Sequence, residues 1–417
     1  MIKEKKTIMR KIILFLLIAG LILNLVGCTQ EAVVAGENED LLETNWESIL
    51  EEAEGTEVNF YGWGGSQMTN DWLDNFLALR LKEEYNITLN RVPMDIDQVL
   101  NKLLGENQMN VTGTADVIWI NGENFSTART NDLLYGPFTH KLPNFNQYID
   151  VESVEVKYDF GFPVEGYEAP YGKAQFVLVY DEARVEQVPK GHEELMELVK
   201  NNAGKFTYPA PPDFTGSAFI RNIIYDIVGY EQFITMKADK EVIAKAIQPA
   251  MDYLNELKPY LWRNGETYPS TIAQLHNMYA DHEVFMTMNY NSNEAAARIQ
   301  TGEFPRTTNT FVFENGTIGN THFLAIPDNA PNKAGALAVI DFILSVEAQA
   351  SKYNPDNWGD LPVLDNARLS DSERAIFDEI QIGKGALPQH ILLDHRVPEM
   401  PANFVPIIEE IWMENIL

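Results

Sequence analysis

From residue 56 onward the apolar residues repeatedly change their spacing, and this alternation limits the fold more than any other feature of the chain. "TEVNFYGWGG" reads as a strand that breaks on glycines. "NDWLDNFLALRLKEEY" follows it, with Trp72, Leu73, Phe76, Leu77, Leu79 and Leu81 at near-helical spacing. "ITLNRVP" predicts a second strand, "DQVLNKLLGEN" a second helix and "ADVIWING" a third strand. Strands that alternate with helices imply a mostly parallel sheet wrapped on both faces, because each crossover helix buries its apolar side against the sheet. No period of about 20 to 50 residues recurs, which argues against a solenoid.

The chain has 417 residues and one cysteine, Cys28. Single cores stop growing at roughly 250 to 300 residues, so two lobes are expected. A hydrophobic content of 45% with 11% aromatics fits a globular body. Cys28 follows a segment holding Lys3, Lys5, Lys6, Arg10 and Lys11 and then an apolar run from Ile12 to Val26, the layout of a secretion signal. As a helix that run spans about 22 Å at ~1.5 Å per residue, short of a hydrocarbon core of about 30 Å. With Leu25, Val26 and Gly27 before it, Cys28 resembles the lipobox cysteine of bacterial lipoproteins, which carries a lipid and becomes the mature N-terminus. This assigns residues 1–27 to a signal peptide and anchors the chain at the bacterial cell membrane, outside the cytoplasm. A lipidated Cys28 leaves no disulfide and no cysteine-based metal site, so the core must hold the fold.

Residues 28–44 are acidic, carry no regular apolar period and are expected to form a flexible tether. The formal net charge is −30, and loss of residues 1–27 removes five basic side chains and Glu4, which brings it to −34. Such acidity disfavours nucleic acid and anionic membrane surfaces as partners and mildly favours a cationic solute.

In open sheets of this kind ligands sit beyond the carboxyl ends of the strands. After the first strand come Trp63, Gly64, Gly65 and Ser66, and after the third Asn121, Gly122, Glu123 and Asn124. Each segment read alone serves equally as an ordinary capped turn, and the first lacks both the lysine and the spacing of a phosphate loop. Further on, "PVEGYEAPYGKAQFVLVYDEARV" offers Glu168 and Tyr171 before an extended run. In "KFTYPAPPDFTGSAFIRNIIYDIVG", Pro209, Pro211 and Pro212 hold the approach extended. Asp213, Thr215, Gly216 and Ser217 then open an apolar helix. They either cap it or clamp a ligand with its free amides.

"VNFYGWGGS", "DVIWINGENF", "GYEAPYGKAQFVLVYD", "FTYPAPPDFTGSAFIR", "MTMNYNSNEAA" and "GNTHFLAIPDNAPNKAGALAVIDFILS" resemble the YnjB-like group of ABC-transporter solute-binding proteins, from about Val58 to the C-terminus. The resemblance implies an α/β, two-lobed fold of the type II periplasmic-binding-protein class, each lobe a mixed sheet flanked by helices. "YGKAQFVLVYD" would carry the first crossing and "GNTHFLAI" the return. Lobe 1 is then expected over 45–172 plus 322–357 and lobe 2 over 173–321 plus 358–417. Solute would sit between the lobes and pass to a permease driven by its ATPase, the receptor acting as a monomer without a cofactor. The candidate contacts are Trp63, Gly64, Gly65, Ser66, Asn121, Glu123, Asn124, Glu168, Tyr171, Asp213, Thr215, Gly216, Ser217, Asn289, Asn291, Asn320 and Trp358.

No HExxH or GxSxG occurs, and the seven histidines lack paired ligand spacing. Glu123 and Glu168 would have to act as acid and base in the alternative reading, a surface lipoprotein enzyme acting on a small molecule. Aromatic faces with carboxylates suit an organic cation, helix N-termini with hydroxyls suit an oxyanion or phosphate, and a neutral sugar could stack on Trp63 or Trp358. A thiamine-like or phosphorylated amine would use both kinds of group.

Overall fold

The structure, a computed structural model, describes residues 41–417. The signal peptide, Cys28 and the tether up to residue 40 lie outside the described residues. The first helix among the described residues, Trp46–Ala53, starts where Asn45 accepts the Ser48 N–H at 3.0 Å and so satisfies one of the free donors of the first turn.

Strand β1 (Glu57–Gly62) pairs in parallel with β2 (Thr88–Pro93) on one side and β3 (Val117–Ile120) on the other. Burial along β1 is nearly continuous after Glu57, as a parallel strand covered on both faces requires. The helix Lys333–Ile343 comes close to this strand at Gly335, where an added Cβ would lie 2.7 Å from Val58 and Thr56 side-chain atoms. Three antiparallel or late strands complete the sheet. β6 (Glu168–Gln175) pairs antiparallel with β10 (Thr317–Ala325), β10 pairs antiparallel with β3, and β11 (Arg396–Pro398) joins β10 in parallel. A short hairpin of β4 (Tyr158–Asp159) and β5 (Phe162–Pro163) lies apart from the sheet.

The second sheet has β7 (Val177–Asp181) between β8 (Met286–Asn289) and β9 (Thr308–Phe311). It pairs antiparallel throughout, so mixed pairing belongs to the first sheet. Helix Phe214–Val228 packs here and is buried on nearly every face from Thr215 to Asp226. Its Phe219 ring lies 4.7 Å from that of Tyr208, and Trp412 donates to the Tyr208 hydroxyl at 3.2 Å. The four-residue-period aliphatic face of helix Lys240–Leu257 (Ile243, Ile247, Met251, Leu254) closes this core together with helix Val405–Ile416.

The chain passes between the sheets at Phe176, between β6 and β7, and again between Phe311 and Thr317. The Phe176 N–H donates to the Ile318 carbonyl at 2.8 Å, so the two crossings run side by side. The sequence expectation put the return within "GNTHFLAI", but Thr321 to Ala325 are paired with β6, and Phe323 to Ala325 also with β3. A segment laddered on both edges is sheet interior, and the return crossing precedes it. A second departure concerns residues after Trp358. Lys173 bridges to Leu361, the Asp365 N–H donates to the Tyr148 carbonyl, and helix Asp371–Asp378 packs on helix Val346–Tyr353, all on the side of the first sheet.

Candidate functional site

The carboxyl ends of β1, β2 and β3 open on a cavity of about 560 Å³ that the β8 loop and the start of helix Phe214–Val228 face from the second sheet. From the first side come Trp63, Ser66 and Thr69 after β1, Met94, Asp95, Ile96 and Asp97 after β2, and Trp119 and Asn121 from β3. From the second come Phe214, Asn289, Tyr290, Asn291 and Glu294, with Ala174, Asn320, His322, Trp358 and Asp360 along the crossing region. This is the crevice position expected for ligands of open α/β sheets.

One wall of the site is aromatic. The Trp119 ring lies 5.5 Å from Tyr171, 5.3 Å from His322 and 6.4 Å from Trp358, and Trp358 in turn lies 5.5 Å from Trp72. Tyr171 packs against the rings of Trp119, His322 and Trp358 and is itself buried. It owes that place to a bulge: Pro170 pairs with Phe323 and Gly172 with His322, so Tyr171 is the extra residue and is turned out of the regular alternation. Beside the rings, Asp360 accepts from the fully buried Lys352 at 2.7 Å and lies 3.6 Å from His322 Nε2. Burial opposes ionisation of Asp360, yet Lys352 and His322 outweigh it and hold the carboxyl below its usual range. Gly172 makes room for this pair, because a Cβ there would sit 2.0 Å from Asp360 Oδ2.

Two exposed aromatics, Trp63 (52% exposed) and Phe214 (51%), also line the cavity, and the Phe214 ring rests 4.9 Å from Tyr290. Asn289 and Asn291 fold the β8 loop through successive Asx turns, Asn289 accepting from the Asn291 N–H at 3.1 Å and Asn291 from the Asn293 N–H at 3.0 Å. Asp95 occupies the N-cap position of helix Ile96–Met109 without a side-chain cap bond, and Asp97 lies in its first turn. Among the described residues neither carboxylate has an ion-pair partner, and no lysine or arginine lines the cavity. Glu294, by contrast, pairs with Arg298 at 2.8 Å.

Of the residues singled out from the sequence, Trp63, Ser66, Asn121, Asn289, Asn291, Asn320 and Trp358 line this cavity. The rest do other work. Gly64 packs where a Cβ would meet Pro93 at 2.6 Å, and Gly65 where it would meet the Trp63 ring at 2.2 Å, so both glycines serve the turn. Glu123 is exposed at the start of helix Glu123–Thr130, and neither it nor Asn124 lines the cavity. Glu168 faces a different cavity. Asp213 accepts from the Gly216 N–H and the Ile272 N–H, both at 2.9 Å, and is the helix N-cap. A Cβ on Gly216 would lie 2.0 Å from the Pro209 carbonyl oxygen, Thr215 is buried, and Ser217 is buried against Arg221 and Glu409. "PDFTGSAF" therefore presents a ring, Phe214, to the cavity while its polar groups hold the helix. Asp213→Ala is expected to cost about 1–2 kcal/mol of stability and leave solute affinity unchanged. Denaturant melts beside calorimetry check this, and lost affinity with intact stability would restore Asp213 to the site.

The sequence pointed to the loops after β1 and β3 but passed over the one after β2, although "PMDID" stands at an equivalent strand end. Trp119 and His322 were hidden inside strands, where aromatic and polar residues read as packing.

The family model described as bacterial extracellular solute-binding protein matches residues 77–376. Protein YnjB of Escherichia coli (strain K12) is 33% identical over 375 residues, 89% of this chain and 94% of that protein. Solved structures with the same fold include an ABC transporter protein from Clostridium perfringens, with a TM-score of 0.61 at 18% identity over 86% of this chain and 98% of that one. The spermidine/putrescine ABC transporter substrate-binding protein PotD of Streptococcus pneumoniae likewise superposes with a TM-score of 0.61 at 16% identity, over 86% and 98% of the two chains. The fold is thus the two-lobed α/β architecture of type II periplasmic binding proteins. By the family match and the identity to YnjB over most of both chains, the chain belongs to the bacterial extracellular solute-binding proteins.

Proposed function

We propose that the chain is the lipid-anchored, monomeric receptor of an ABC importer and that the solute in its cleft is a small organic cation. The observation that carries the choice of solute is the pairing of Asp95 and Asp97, which have no cationic partner, with the rings of Trp63, Trp119, Phe214 and Trp358 in a cavity that no lysine or arginine lines among the described residues. A cation over an aromatic face gains about 0.5–2 kcal/mol, and carboxylates fix its position by charge-assisted hydrogen bonds. A phosphate or carboxylate solute would meet Asp95 and Asp97, which have no ion-pair partner among the described residues, with no lysine or arginine in the lining to offset them. Calorimetry against organic cations, sugars and phosphate esters of matched size tests the assignment. Micromolar binding of a cation supports it, and selective binding of a phosphate ester would refute it.

The reading makes lobe 1 residues 45–175 with 317–378 and the β11 residues 396–398, and lobe 2 residues 176–316 with the rest of 379–417, rotating about Phe176, the 312–316 segment and the ends of β11, as hinge closure in binding proteins requires. It is a reading of binding without turnover, and the exposed Glu123 and buried Glu168 support it by lying outside the cleft lining. Anchoring rests on Cys28 after its basic and apolar segments. Detergent-phase partitioning should retain the wild type and release Cys28→Ser, and release of both would disprove the anchor.

A further inference from the structure

A second cavity, of about 330 Å³, is bounded by the β4–β5 hairpin and by residues 139–156. Its walls are largely apolar, with Phe145, Val151, Val156 and Val164 among them, yet Glu168 also lines it. Glu168 is fully buried, and neither of its carboxyl oxygens has a hydrogen-bond partner. The neighbouring Asp159 is buried too and accepts the Gly122 N–H. Burial, and then Asp159, push the Glu168 carboxyl well above its usual range; burial first, then Glu123, act on Asp159 in the same direction, against the Gly122 bond that favours its charge.

The nearby cations are already engaged. Lys157 lines the cavity, but its ammonium pairs with Glu152, while Arg129 pairs with Glu165 and stacks 3.4 Å over the Tyr167 ring. An unpaired buried carboxyl costs several kcal/mol by general estimate and is retained most readily where a partner can reach it. A bare divalent ion does not fit the surroundings. It needs about six to eight oxygens, and the described residues contain no cluster of three or more acidic, histidine or cysteine groups able to hold one.

We propose that this cavity is a second binding site, taking a small aliphatic primary ammonium whose head pairs with Glu168 while its hydrocarbon body lies against Val151, Val156 and Phe145. The volume is at the low end of the range of about 300–1,000 Å³ for small-molecule pockets, and apolar walls around the buried Glu168, with the exposed Lys157 and Glu165 of the rim already paired to Glu152 and Arg129, match such an amphiphilic guest. Val151, Val154 and Tyr158 are exposed apolar side chains in the same segment, so a hydrocarbon guest meets apolar surface on entry. The site does not depend on the cleft reading, since Glu168 and Asp95 line separate cavities.

Titration of the full chain with isobutylammonium chloride, against potassium chloride at equal ionic strength, tests it by calorimetry. Saturable binding should weaken at least about tenfold in Glu168→Gln and in the cavity-filling Val156→Trp, and persist in the cleft variant Asp95→Asn/Asp97→Asn. Matching circular dichroism and melting curves establish that each variant folds. Absence of binding to the wild type, equal binding to a folded Glu168→Gln, or loss only in the cleft variant would each overturn the assignment. Loss only in the cleft variant would at the same time leave the organic-cation cleft standing.

Discussion

Arg221→Met is expected to lower the stability of the folded chain by about 3–5 kcal/mol, the usual loss when one partner of a buried ion pair is removed. Arg221 and Glu399 are both almost fully buried, and the guanidinium forks the carboxylate with Nε and Nη2 at 3.0 and 3.1 Å. The remaining nitrogen, Nη1, donates to Ser217 Oγ at 2.6 Å, and the Tyr290 hydroxyl donates to Glu399 at 2.8 Å. Burial works against the charge on Arg221, but Glu399 more than compensates and raises its pKa. Methionine leaves Glu399 buried with its charge unmatched, and adding Glu399→Leu should recover much of the loss because the apolar pair carries no desolvation cost. Urea melts of the single and double variants provide the numbers. A single-variant loss below about 1 kcal/mol, or a double variant no better than the single, would show that the pair is not the tie described. The same network reaches the cleft through Tyr290, so solute affinity should fall with it.

Asp95→Asn/Asp97→Asn should weaken solute binding by about 100-fold or more. A hydrogen bond to a charged group is worth about 1.5–3 kcal/mol, so each lost charge accounts for roughly tenfold or better. Both side chains are exposed and unpaired, so stability should stay within about 0.5 kcal/mol of the wild type. Wild-type affinity should also fall with added salt more steeply than that of the double variant, because salt screens exposed charges. Calorimetry at two ionic strengths resolves both effects. A loss under about tenfold would place the cationic part of the solute elsewhere.

Much of the first lobe was legible in the sequence because period did the work: β1, the near-helical run through Leu81 and the apolar "DVIWI" of β3 all follow from spacing. The crossings were less legible. "GNTHFLAI" reads as a strand either way, and only pairing with both β3 and β6 shows that it belongs inside the first sheet. Part of the site could be found from one rule, that ligands lie past strand ends, which gave Trp63, Ser66 and Asn121. Its failures have physical causes. Glu168 and Tyr171 looked like neighbours in one site, yet the bulge at Tyr171 sends them to separate surroundings, the aromatic wall and the second cavity. Ser217 and Asp213 looked like a clamp because cap chemistry and anion-binding chemistry use the same residues. Asp95 and Asp97 escaped notice for the converse reason, since an acidic first turn is what any helix favours.

The central claim is that the cleft holds an organic cation through Asp95, Asp97 and the surrounding rings, and native mass spectrometry of protein purified without unfolding tests it most directly. The account predicts a bound adduct that is released on denaturation as a small organic cation and is absent from the Asp95→Asn/Asp97→Asn variant. A neutral or anionic adduct, retained equally by that variant, would contradict it.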